Sequence, residues 1–301
     1  MHNDPLYYLT TMMRCCFYGF ISLMVLGLSC TKSPHDYEHH RTSYFRNIHN
    51  GSHNDSILVC ATFNIQLGFP ATKNPWDKNI SGADDMQIER IAYMIRQVDA
   101  DIVALQEVPR NRYNAVIKDF IEKLATRLDM NYAFGAHGYN DPEGIYPVHG
   151  EWGNAILSKY RIVGIENTEV SYVDQWQKRS ILCALLEIND SFRLNAISYH
   201  YDNGLGEMNE AIGNTKLYLI RLNDPVILMG DSNYQWDVKD FYAEFESEGL
   251  ADADSTTLTG IDRILFTKNT FHCIQVLSWY DTINYTSDHP LNSCRLKISG
   301  Q

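Results

Sequence analysis

The feature that most constrains this chain is a series of short apolar runs, each stopping on a polar side chain. ILVCATF runs into Asn64, DIVALQ into Glu107, LNAISY into His200 and VILMG into Asp231, while Asp262 stands second in IDRILF. Apolar runs of this length, rich in Val and Ile, read as strands, since a buried helix needs roughly 10–12 residues. The run PVILM, Pro225 to Met229, is compatible with a strand covered on both faces. Polar groups at strand ends lie where loops hold functional side chains on a rigid scaffold.

Between these runs the period changes. Asp84 to Val98 spaces Met86, Ile91, Met94, Ile95 and Val98 as one helix face, and Tyr113 to Leu128 does the same with Val116, Ile117, Phe120, Ile121 and Leu124. A third, more polar helix is predicted from Glu207 to about Arg221. Further strands are predicted at Asn154 to Leu157, Ile162 to Val170, Ser180 to Ile188, Phe192 to Tyr199, Ile261 to Phe266, Phe271 to Leu277 and Cys294 to Ile298. Asn189-Asp190 suits the tight turn of a hairpin. No repeat and no second linker interrupts residues 57–301, which are read as one mixed α/β domain. A chain of 301 residues, 45% hydrophobic and 21% charged, is long enough for one substantial core.

The N-terminus is read as an address. Phe17 to Leu28 is an apolar run of about a dozen residues after Arg14, too short to span a bilayer and shaped like the core of a signal peptide. Leu26-Gly27-Leu28-Ser29-Cys30 resembles a bacterial lipoprotein box, although Leu stands four rather than three places before Cys30. Residues 1–30 are therefore expected to be a signal peptide, with membrane attachment through an acylated Cys30. The protein is expected to be exported, as a periplasmic or outer-membrane lipoprotein or in secreted form. Residues 31–56 are polar, contain His35, His39, His40, His49 and His53 in no defined metal spacing, and are read as a flexible tether. Cys60, Cys183, Cys273 and Cys294 sit singly inside apolar runs without a CxxC pair, so they are read as buried strand thiols.

The net charge of -12 provides no global basic field for holding a polyanion. Nucleic acid is thereby disfavoured as a partner without being excluded, because a bound cation and a few local Lys or Arg can invert the sign inside one cleft.

The ordered set TFN (Thr62 to Asn64), QE (Gln106, Glu107), GNAILS (Gly153 to Ser158), YH (Tyr199, His200), GDSN (Gly230 to Asn233), IDRI (Ile261 to Ile264) and SDH (Ser287 to His289) resembles the endonuclease/exonuclease/phosphatase superfamily. The resemblance spans essentially residues 57–298, with every motif in family order. It implies a four-layer α/β/β/α sandwich: two mixed β-sheets face to face, flanked by helices. It also implies a metal site of Asn64, Glu107 and Asp288, and catalytic roles for His200, Asp231, Asn233, Asp262 and His289, with Asp262 orienting His289. Asn154, Arg179, His200 and Asn233 are the implied phosphate contacts. A hard cation among carboxylate and amide oxygens suits phosphate-ester hydrolysis, with Mg²⁺ expected and Mn²⁺ as its substitute.

Two departures from the family pattern stand out. Ser232 replaces the usual aromatic of the GDSN motif, and Pro109 stands where many nucleases of the superfamily carry an Arg, with Arg110 and Arg112 beyond it. The expected activity is hydrolysis of a phosphate ester, a phosphodiester by preference, by a monomeric enzyme. The competing readings are a secreted nuclease, a sphingomyelinase-like or inositol-phosphate-type phosphatase, and an inactive binding protein.

Overall fold

The interior strand β2, Ile57–Asn64, is buried along nearly its whole length, as an apolar run with both faces covered must be. Its parallel neighbour is β3, Ile102–Arg110, and the crossover between them is helix α1, Asp85–Val98. Asp84 caps α1 by accepting a hydrogen bond from Gln87 N at 2.9 Å, and left-handed Asp99 ends it. In this computed structural model residues 42–48, 56–77, 79–138, 150–173, 177–234, 238–254 and 260–299 are described, within one compact unit, Arg41–Gln301. The expected leader and Cys30 lie outside the described residues. No helix among the described residues is long and apolar enough to cross a membrane.

The remaining strands are β1 (Ser43–Arg46), β4 (Asn131–Gly138), β5 (Glu151–Ser158), β6 (Arg161–Tyr172), β7 (Lys178–Asn189), β8 (Phe192–His200), β9 (Val226–Asp231), β10 (Leu250–Asp252), β11 (Asp262–Thr267), β12 (Phe271–Trp279) and β13 (Leu291–Ile298). The other helices are α2 (Phe120–Leu128), α3 (Leu205–Leu219) and α4 (Val238–Glu246). One sheet has the order β1-β4-β5-β3-β2-β13-β12, the other β10-β11-β9-β8-β7-β6. Both are mixed: β2 with β3 and β8 with β9 run parallel, each pair joined through a helix, and the other ladders are antiparallel.

Three apolar layers separate these elements. Ile88, Ile91, Phe120 and Leu124 of α1 and α2 pack on Phe63, Val103 and Leu105. Leu58, Ile102 and Ile156 of the first sheet meet Leu182, Ile227 and Met229 of the second. Met208, Ile212, Tyr218, Phe241 and Phe245 of α3 and α4 cover Ile197, Leu228 and Leu265. The expected four-layer sandwich is the observed fold. Each such side chain stabilises the fold by about 1.5–3 kcal/mol, so the strand ends are held by interlocked layers rather than by local contacts.

Two expectations are corrected. The stretch read as a tether contributes β1, which pairs with β4 from Ser43 opposite Gly135 to Arg46 opposite Tyr132, and Tyr44 Oη donates to Asp119 at 2.9 Å. Four residues are too few to show a period in the sequence. The helix expected from Tyr113 begins only at Phe120. Val116 and Ile117 donate their amides to the carbonyls of Gly82 and Ala83, and Asp119 caps the later helix start at Glu122 N. Strands β1, β4 and β10 and helix α4 were not expected from the sequence.

Candidate active site

Both parallel pairs end at the same rim. In the first sheet Asn64 lies opposite Gln106; in the second, His200 lies opposite Asp231, and Asp231 opposite Asp262 on β11. Residues in register on neighbouring strands project from the same face, so His200, Asp231 and Asp262 form one row. Asn64 Nδ2 donates to Asp231 Oδ2 at 3.1 Å and bridges the sheets. Gln106 ties them just below, donating to Ser198 Oγ at 3.1 Å, while Ser198 donates to Leu105 O.

Glu107 reaches this cleft because the β3–β5 register slips between Leu105 and Val108. At that bulge Glu107 has φ 53, a left-handed conformation costly for a side chain with a Cβ. Asn64 Nδ2 lies 3.4 Å from Glu107 Oε1. Burial pushes the Glu107 carboxyl above its ordinary pKa, opposed by the Asn64 hydrogen bond and reinforced by Asp288.

The SDH loop is fastened to the first sheet by Ser287 Oγ, which donates to Asn64 O at 2.7 Å. Asp281 steadies the turn before it, accepting from Ile283 N and Asn284 N and from Thr286 Oγ1. His289 Nδ1 then meets Asp262 at 2.9 and 3.2 Å, with its Nε2 3.7 Å from Asp231 Oδ2. Burial by itself would lower the His289 pKa, but the Asp262 hydrogen bond and charge, with Asp231 and Asp288, hold it at about 10. Burial, opposed by His289, raises Asp262 to about 6. The pair fixes a cationic imidazole with Nε2–H pointing into the cleft.

His200 is the opposite case. Burial, followed by Arg179 and His137, pushes its pKa well below the ordinary value, so its ring is neutral. Asn233, in left-handed conformation, donates Nδ2 to Tyr201 O at 2.9 Å and to His200 Nε2 at 3.2 Å. The neutral ring therefore faces an N–H donor at each nitrogen, Asn233 Nδ2 at Nε2 and the Arg179 guanidinium at Nδ1. Arg179 lies 3.5 Å from that Nδ1, pairs with Asp202 at 3.6 Å and stacks over Trp152, yet its buried Nε has no partner. Such a donor is suited to a phosphate oxygen. Asn154 commits Nδ2 to Ser180 O at 2.7 Å and leaves Oδ1 without a partner, so only its second amide proton is available to a phosphate.

The donor set fits a hard divalent cation. The charge of Asp288 helps raise the pKa of Glu107, and with Asp231 that of Asp262, a repulsion that a cation on carboxylate oxygens relieves. Asn64 fits less directly. Its Oδ1 accepts Gln66 N at 3.0 Å and its nitrogen faces both carboxylates, so ligation through oxygen requires turning the amide over. Among the described residues, ligand atoms of Asp231, Asp262 and His289 lie within 4.8 Å of one another, but His289 Nδ1 is taken by Asp262, which leaves this group the weaker cation cage.

Residues 61–289 match the model of the endonuclease/exonuclease/phosphatase family. The chain belongs to that family. Members of the family are hydrolases acting on phosphate esters, typically with divalent metals. The protein YbhP of Escherichia coli K12 is 32% identical over 151 residues, covering 46% of this chain and 56% of YbhP, so the match spans little more than half of that relative. A family protein from Beutenbergia cavernae superposes with a TM-score of 0.62 at 19% identity, over 80% of this chain and 72% of its own. The mannosyl-6-phosphatase of Bacteroides thetaiotaomicron gives 0.58 at 19% identity, over 79% of this chain and 99% of its own. At these identities the two likenesses establish the fold.

The structure brings Asn64, Glu107, His200, Asp231, Asn233, Asp262 and His289 to one cleft, with Asp288 exposed at its edge and Arg179 behind His200. Sequence reasoning missed Asp202, Trp152 and His137. Trp152 packs against His137 and under Arg179, and Asp202 pairs with that guanidinium. The only signals for Trp152 and Asp202 were proximity to GNAILS and YH, and His137 had none.

Proposed function

We propose that this family member is a divalent-metal-dependent phosphoesterase, Mg²⁺-loaded with Mn²⁺ as substitute, that cleaves a phosphodiester outside the cytoplasm. One observation carries the reading: a cationic His289 and a neutral His200 flank the single carboxylate of Asp231, at 3.7 and 3.5 Å. Two histidines in opposite protonation states around one acid divide the work of proton transfer and charge stabilisation.

Asp231 takes a proton from an attacking water on Oδ2, which accepts from Asn64 Nδ2 at 3.1 Å and keeps a second lone pair, while Asn233 N at 2.8 Å from Oδ1 fixes the carboxylate. His289 Nε2–H and Arg179 Nε donate to phosphate oxygens, where charge grows in the transition state. Asn233 keeps His200 facing the same centre. Glu107 and Asp288 would hold the cation, which when bound supplies Lewis acidity toward the phosphoryl oxygens. Attachment to a membrane through an acylated Cys30, and a monomeric state, belong to the same proposal. The net charge of -12 argues for a small or lipid-borne ester over a nucleic acid.

The test is a panel of p-nitrophenyl phosphate, bis-p-nitrophenyl phosphate, DNA and sphingomyelin with Mg²⁺ or Mn²⁺ and with EDTA. The expected result is metal-dependent hydrolysis of a diester that falls at least about 100-fold in His289→Ala. Release of no product from any member, or an active His289→Ala, overturns the assignment.

A further inference from the structure

The inner face of the first sheet carries thiols that the catalytic cleft does not use. Cys60 on β2 lies opposite Cys294 on β13, while Cys273 on β12 pairs with Leu296, two residues from Cys294 and on the same face. Cys273 and Cys294 are therefore diagonal neighbours across one ladder. The two thiols are near enough to shift each other's pKa in opposite directions, and Cys273 Sγ donates to Gln275 O at 3.5 Å within the bulge.

Three features separate this pair from a packed core thiol. The register shifts between Cys273 and Gln275, so β12 is bulged at Cys273, and a bulge supplies local slack. Among the described residues β12 is also the last strand of its sheet, with no paired strand on its outer side to resist a shift. Finally, Cys273 is only half-buried, and Cys294 lines a cavity of about 220 Å³ together with Val276, Ser278 and Asn292. Cys183 offers the contrast: it stands alone on the second sheet, donating to Asn195 Oδ1 at 3.6 Å, and burial pushes it up to about 12.

We propose that Cys273 and Cys294 form a dithiol site that takes a low-molecular-weight disulfide as oxidant and closes to a cross-strand disulfide, clamping β12 onto β13. Cys273 is the attacking group: the neighbouring Cys294 thiol lowers its pKa to about 7, while Cys294 keeps its proton. The Cys273 thiolate attacks one sulfur of the small disulfide, forming a mixed disulfide and expelling a thiolate. Cys294 then gives up its proton and attacks Cys273 Sγ, forming the protein disulfide and expelling the second thiolate. The two cysteines lose two electrons and two protons between them, and the small disulfide becomes two thiols. The sulfurs of these diagonal neighbours must close to about 2.05 Å, a movement that a bulged edge strand can supply.

The chain makes the test direct. No Lys or Arg lies between Lys268 and Arg295, so tryptic peptide 269–295 carries both cysteines. The folded protein is incubated with oxidised glutathione, its remaining thiols are alkylated with iodoacetamide, and it is digested without reduction. Peptide 269–295 is expected two hydrogens light and free of alkyl groups, whereas Cys273→Ser and Cys294→Ser give no such species. In pulse alkylation of wild-type protein at pH 7, Cys273 is expected to label at least about 100-fold faster than Cys183. That measurement stands even if a serine variant fails to fold. Recovery of both cysteines alkylated after oxidation, a bond to Cys60 instead, or equal labelling of Cys273 and Cys183 would overturn the proposal.

Discussion

Replacing Gly230 by alanine would set a methyl carbon 1.9 Å from the Tyr199 carbonyl oxygen and 2.8 Å from its carbonyl carbon. Non-bonded heavy atoms pack best at about 3.5 Å, so the shortfall against the oxygen is roughly 1.6 Å. The obstacle is the backbone of β8, paired to Gly230 in register, and Tyr199 is wholly buried. The only relief is for β8 and β9 to part. The next residues along are His200 and Asp231, 3.5 Å apart, with Asn233 holding the same imidazole. Overpacking of this kind destabilises by about 1–3 kcal/mol. A misplacement of about 1 Å costs roughly 100-fold in turnover. Gly230→Ala is therefore expected to lose both, measured by urea denaturation and by bis-p-nitrophenyl phosphate hydrolysis on the folded fraction. Gly213→Ala on α3, where a Cβ meets nothing within 4 Å, is the control and should hold or gain about 0.4–1 kcal/mol. A Gly230→Ala protein with wild-type stability and turnover would refute the claim that this close approach positions the row.

Three further outcomes are expected. Asp262→Asn removes the charge that holds His289 cationic and should lower turnover at pH 8 at least about 100-fold, measured beside its urea midpoint to separate chemistry from folding. Because the folded His289 pKa of about 10 lies above the unfolded 6.5, its stabilising contribution is complete below 6.5 and disappears as pH rises through 10. The urea midpoint should fall across that window in wild type and not in His289→Gln; parallel profiles would contradict the ion pair. Asp84→Ala removes the α1 cap and should cost about 1 kcal/mol with turnover unchanged, whereas an unchanged melting temperature would discount the cap.

The apolar runs and their polar ends were legible because strand burial repeats a simple pattern, and α1 was legible to within a residue because Asp84 marks its start. Other elements depend on partners remote in sequence. β1 exists only because β4 offers it an edge, and the segment from Tyr113 surrenders a good helical period to carbonyls of Gly82 and Ala83. Within the site, residue identities could be read but orientations could not. Nothing in QEV announces a left-handed Glu107, and nothing in TFN announces an Asn64 whose nitrogen rather than oxygen faces the carboxylates. Trp152 and Asp202 were hidden because their role is to hold Arg179 rather than to meet a substrate.

The bridge from Asn64 to Asp231 joins residues 167 positions apart, and the Ser287 anchor on Asn64 joins residues 223 apart. Contacts of such separation are entropically the most expensive to form and come late in the folding of mixed sheets. Neither βαβ half can therefore prefigure the cleft, and a chain still emerging from synthesis carries no working site until β13 and the SDH loop have arrived. Recovery of turnover during refolding should accordingly lag the burial of the tryptophans and follow the closing of the last strand.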